Sequence, residues 1–79
     1  MFSMDRISYI SYILYQSHNE KIKKWAIELL NGEITLKEVK AKSPVAEAEI
    51  NRAERLYNNG ILNYQHIFQF VSENMNTAS

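Results

Sequence analysis

Asn51 and Arg52 stand side by side in the stretch AEAEINR, which runs from Ala46 to Arg52. Their side chains carry paired hydrogen-bonding groups. An Asn amide matches an adenine edge, and an Arg guanidinium matches guanine or a phosphate. Glu47 could accept from a cytosine amino group. Ala46 and Ala48 are small enough to let a helix approach closely and to touch thymine methyls. Lys37, Lys40 and Lys42 lie just upstream, where their ammonium groups could flank phosphates. The chemistry implied is recognition of double-stranded DNA, and it requires these residues to sit on one presented helix.

The segment Thr35 to Arg52, TLKEVKAKSPVAEAEINR, supplies such a setting. It lies without a gap on a helix-turn-helix pattern, with the unit spanning about 35–57. Val39 takes the buried aliphatic position of the first helix, Val45 follows the turn, and Ile50 falls mid-way along the second helix. Those three apolar contacts set the angle at which the second helix meets a major groove. Two positions differ from the usual pattern. Lys40 occupies a place normally given to a small residue, and Pro44 occupies the turn position normally given to Gly.

The flanking sequence reads as further helices, with no convincing strand. Ile7, Ile10, Ser11 and Leu14 have helical spacing, and Tyr9, Tyr12 and Tyr15 form a second stripe on the same segment. Ser3 or Asp5 could cap it. Two neighbouring stripes predict burial on more than one side, as at a dimer interface. Asn19 can cap a helix running to Asn31, in which Ile22, Trp25, Ala26, Leu29 and Leu30 form one face. Gly32 is placed to end it in a left-handed conformation. Thr35 and Glu38 form a capping box, Ser43-Pro44 stops that helix, and Pro44 suits the first turn of the next. Asn58-Asn59-Gly60 ends the next helix. Asn63 can cap a last one carrying Tyr64, Ile67, Phe68, Val71 and Met75, and Asn74 to Ser79 reads as a frayed tail. The expected fold is therefore an all-α single domain over 1–79, of four to five helices, with a central helix-turn-helix.

Other chemistries find little support. His18 and His66 are the only histidines, and they show no metal-ligand spacing with each other or with a carboxylate. Glu47 and Glu54 share a helical face, but no nucleophile or polar pocket accompanies them. No phosphate loop or Ser-His-Asp pattern occurs. The expectation is no catalysis, no metal and no cofactor. Stacking of the tyrosines and phenylalanines on single-stranded bases is less favoured than core or dimer contact, because no Lys or Arg is interleaved with them.

Composition sharpens this. At 79 residues, with nearly half apolar, the chain has more apolar material than a small monomer readily hides, which favours a homodimer or higher oligomer. There is no cysteine, so disulfides are excluded. No apolar run reaches the ~18 residues of a membrane span, and no signal-peptide pattern opens the sequence, so no membrane role and a cytoplasmic location are expected. Nine basic and nine acidic residues give zero net charge, which argues against strong non-specific nucleic-acid binding. The charge is unevenly spread: Met1 to Lys42 holds seven basic and five acidic residues, and Ser43 to Ser79 two and four.

The run from His18 to Val39, HNEKIKKWAIELLNGEITLKEV, resembles the middle of the PapB-type adhesin-biosynthesis transcription regulators of enterobacterial fimbrial operons. His18, Lys21-Ile22, Leu30, Gly32, Thr35 and Lys37-Glu38-Val39 carry the likeness, which continues to about Leu56. The resemblance implies a small, helical, oligomeric bacterial regulator that binds A/T-rich double-stranded DNA at fimbrial promoters. On that expectation Lys37, Lys40, Lys42, Ala46, Glu47, Ala48, Asn51 and Arg52 meet DNA. Ile7, Ile10, Tyr12, Leu14, Tyr64, Phe68 and Val71 make the subunit contacts. The acidic, alanine-rich AEAEINRAE leaves an alternative open, in which the chain is a protein-binding helical module that docks on another regulator without touching DNA. Exposure of Glu47, Glu49 and Glu54 together on one side, with no basic surface facing the same way, would decide for that alternative.

Overall fold

The computed structural model describes residues 6–60 and 64–74. Five helices follow in order: α1 (Arg6–Tyr15), α2 (Glu20–Leu30), α3 (Leu36–Lys42), α4 (Pro44–Asn58) and α5 (Tyr64–Asn74), with no strand among the described residues. The fold is all-α.

Local chemistry sets most helix ends. Asn19 Oδ1 accepts from the amides of Lys21 at 2.9 Å and Ile22 at 3.4 Å, which satisfies donors that have no partner inside α2. At the far end of α2, Gly32 has φ +76°. The Glu33 amide donates to the Glu28 carbonyl at 2.8 Å, and the Gly32 amide to Leu29 at 3.2 Å. That pair of bonds is the Schellman closure, and the left-handed residue at its centre costs least as glycine. Thr35 and Glu38 form the reciprocal capping box of α3, with bonds of 3.0 Å and 3.2 Å. Gly60, at φ +73°, follows α4. The proposed caps at Ser3, Asp5 and Asn63, the contact of Met75, and the tail beyond Asn74 lie outside the described residues.

Helix α1 packs against α2, α4 and α5. On one side Ile10 and Leu14 join Ile22, Ala26 and Leu29 of α2, Val39 of α3, and Ala46, Ile50 and Ala53 of α4 in one apolar cluster. On the other side Tyr9 joins Leu30, Ile67, Phe70 and Val71, with Tyr12, Leu56 and Tyr57 packed around them. Aromatic rings seal this second cluster. Tyr9 lies 5.6 Å from Tyr57 and Tyr12 5.8 Å from Phe70 in an edge-to-face pair, centroid to centroid.

These contacts correct the expected subunit interface. Ile10, Leu14 and Val71 are buried within the chain, so they are not surface residues waiting for a second copy. In the second stripe of α1, Tyr9, Tyr12 and Tyr15 lie against α5 of the same chain, and Tyr15 stays partly exposed. Ile7 and Tyr12 are half-buried, and the side chain of Tyr64 lies outside the described residues. On α5 the buried residues are Ile67, Phe70 and Val71, spaced i, i+3, i+4, while Phe68 turns outward at 48% exposure.

Two polar features qualify the core. Ser11 is fully buried on α1, and its Oγ has no hydrogen-bond partner among the described residues. On the other flank, Glu54 of α4 takes an ion pair from Arg6 of α1 and one from Lys40 of α3, the latter at 3.3 Å. The Glu54 side chain is 18% exposed, so this three-way link is partly screened from water and ties three helices together.

Two outcomes are expected. Ser11→Ala removes an unsatisfied buried hydroxyl and should stabilise the domain by about 1 kcal/mol, seen as a melting point higher by roughly 4–8 °C for a chain of this size. A lower melting point would mean that the hydroxyl does stabilising work. Glu54→Gln keeps the shape and removes the charge, and should cost about 1 kcal/mol in urea unfolding at low ionic strength. The loss should shrink in high salt, because both cations are partly in water; a loss of the same size at all salt concentrations would contradict the ion-pair origin.

Candidate nucleic-acid interface

The candidate site is built by α3, the single residue Ser43, and α4. Ser43 is extended, at φ −156° and ψ 123°, and its Oγ accepts from the Ala46 amide at 3.2 Å. Pro44 is the first residue of α4, where its fixed φ suits a helix and its missing amide proton is no loss. The new helix therefore begins at once, at Pro44, with Ser43 alone between it and α3. This rotates the expected positions. Val45 is already helical and points to solvent at 59% exposure, while Ala46 is fully buried. Ala46, not Val45, thus supplies the apolar contact after the link, together with Val39 and Ile50.

The burial of Ala46 removes it from the set of residues that can touch a ligand. Its methyl group packs in the core beside Ile50 and Ala53, where a small side chain lets α4 approach its neighbours. Lys40 is also partly withdrawn. Its stem runs along the domain and its ammonium group is held by Glu54, which explains how a lysine is tolerated where a small residue is usual. Lys37 and Lys42 remain exposed.

With about 3.6 residues per turn, Ala46, Ile50, Ala53 and Tyr57 define the inward stripe of α4. The opposite stripe holds Ala48, Asn51, Arg52 and Arg55, all exposed. Arg55 escaped the sequence reading, although its place one turn beyond Asn51 and Arg52 could have found it. No carboxylate lies on this outer stripe. Glu54 is turned inward to Arg6 and Lys40. Glu47 is exposed on a flank, and Glu49, on the other flank, lies 4.0 Å from Arg52. The three acidic residues of α4 consequently do not share one exposed side.

Electrostatics near the stripe are mild. Burial raises the Tyr9 phenol above its ordinary value of 10.0, while the positive charge of Arg52 acts in the opposite direction. The hydroxyl of Tyr9 therefore stays protonated at neutral pH. Among the described residues no three potential metal ligands gather in one place, and no helix is long and apolar enough to cross a membrane.

The outer stripe can donate from two guanidinium groups and can both donate and accept at Asn51. A methyl group at Ala48 lies between them on the wheel. This set suits close approach to a polyanion with base edges. Compared with known proteins, the chain finds no matching family model, no matching curated protein and no matching solved structure.

Proposed function

We propose that this chain is a small DNA-binding transcription regulator that meets a major groove with the outer stripe of α4. The observation that carries the reading is the separation of charge on that helix: Ala48, Asn51, Arg52 and Arg55 are exposed together, and Glu54 is held in partly buried ion pairs with Arg6 and Lys40. Lys37 and Lys42 stand at α3, where they can steady phosphates. Glu47 stays at the margin and can act only on a neighbouring base.

The resemblance to the fimbrial regulators supports the same reading and adds A/T-rich sites, adhesin genes and a bacterial cytoplasm. Zero net charge means that one domain binds weakly, so the regulator would act as a dimer or larger oligomer on adjacent sites. With Ile10, Leu14 and Val71 committed to the core, the surface for self-association is narrowed to residues such as Phe68 and Ile7. The arrangement that would have favoured the protein-binding alternative, Glu47, Glu49 and Glu54 on one exposed side, is not the one seen, since Glu54 pairs with Arg6 and Lys40.

Fluorescence anisotropy on DNA from upstream of the chain's own gene, against a scrambled A/T-matched duplex, tests this. Saturable binding that favours the native fragment and falls with salt is expected. Arg52→Ala should weaken binding to the native fragment by about 5- to 150-fold, the size of roughly 1–3 kcal/mol per base contact, and should narrow the preference over the scrambled duplex. Arg55→Ala should weaken binding to both duplexes alike if Arg55 meets a phosphate. Unaltered affinity in both variants would reject α4 as the reading helix, and no binding at low salt by folded protein would reject the function.

A further inference from the structure

A cleft of about 400 Å³ lies between α2 and α3, with Trp25 on its wall. Lysines and glutamates both line it. Lys21 and Lys24, on the first half of α2, share the cleft with Lys42, the last residue of α3. Glu28, Glu33 and Glu38 line it too, but they come from the second half of α2, the connecting loop and the start of α3. Lys21 and Lys24 stand one turn apart on α2, so they are neighbours on its surface, and Lys42 lines the same cleft.

One of the three carboxylates is already engaged. The carboxylate of Glu38 accepts from both the amide and the hydroxyl of Thr35, at 3.0 Å and 3.1 Å. Of the three lysines, none has its ammonium group in an ion pair with a carboxylate among the described residues. Lys21, Lys24 and Lys42 are all exposed. Three unpaired ammonium groups around one opening repel one another and gain most from an external anion. Lys42 also stands two residues before Pro44, so this opening adjoins the start of α4.

We infer that Lys21 and Lys24, together with Lys42, form a second contact that grips the DNA phosphate backbone where the duplex passes the start of α4, a role that rests on the DNA-binding function proposed above. This contact reads no sequence. It adds affinity to a neutral domain and fixes the direction in which α4 lies in the groove. It also gives Lys21 and Lys24 a task that the outer stripe of α4 does not supply. Lys23 is excluded from the contact. It lies between the two in sequence, but its ammonium group sits 5.6 Å from the centre of the Tyr15 ring, on another face of α2.

The test uses the full chain, the native upstream duplex and a scrambled duplex, with anisotropy over a salt series. Lys21→Gln with Lys24→Gln should lower the slope of log affinity against log salt by about 1.8, at roughly 0.9 per phosphate contact. Binding to both duplexes should fall by the same factor, leaving the preference between them intact. Lys23→Gln should leave the slope as in the unmodified protein. Circular dichroism checks that these exposed substitutions leave the helices folded. An unchanged slope in the Lys21/Lys24 variant, with the parent protein binding DNA, would overturn this contact and leave the function standing. A lowered slope together with an ineffective Arg52→Ala would support the contact and reject the register of α4. Absence of DNA binding by the parent protein would overturn both.

Discussion

Ile10 and Leu14 leave α1 on one side and Tyr9 on the other, and each side has its own partners. The first side gathers α2, α3 and α4; the second gathers α5 with the end of α2. A chain of this length has little apolar surface to spare, and burying one helix from both directions makes the most of it. The orientation of α4 follows, because α1 supplies one wall of its seat and α3 the other. Ser11, at the centre of α1, is buried between these two sides with a hydroxyl that finds no partner among the described residues.

The partition of charge on α4 depends on the same seat. Glu54 stands where α1 and α3 both reach it, so Arg6 and Lys40 converge on one carboxylate. A helix that is acidic in composition thereby presents a basic outer stripe. Composition averaged over a segment says little about a surface when one carboxylate is taken inward and two others fall on opposite flanks. The lysine cluster behaves similarly. Its members are scattered over some twenty positions of sequence, yet Lys21, Lys24 and Lys42 line one cleft.

Helix ends were legible in the sequence because their causes are local. Asn19, Gly32, Thr35 with Glu38, and Ser43 with Pro44 each act within a few residues, and each has the role that its type predicts. Side-chain placement was less legible for two reasons. A stripe of apolar residues does not reveal whether its cover belongs to the same chain, so Ile10 and Leu14 read as interface and are core. The angular position of a residue also depends on where its helix begins. Starting α4 at Pro44 turns Val45 outward and Ala46 inward, which costs the candidate site one residue. Long-range pairs such as Lys40 with Glu54 leave no trace in spacing at all, and Arg55 was simply passed over.

The single residue between α3 and α4 leaves almost no backbone freedom at that joint. Ser43 is pinned by its own bond to the Ala46 amide, and Pro44 has one ring-locked torsion. A partner docking on α4 therefore meets a face that is already formed. Association would carry little cost in chain ordering, and its heat-capacity change would come from the surfaces that lose water and not from coupled folding. Calorimetrically, the domain would behave as a rigid body, with a small negative heat-capacity change matched to the modest area of one helix face.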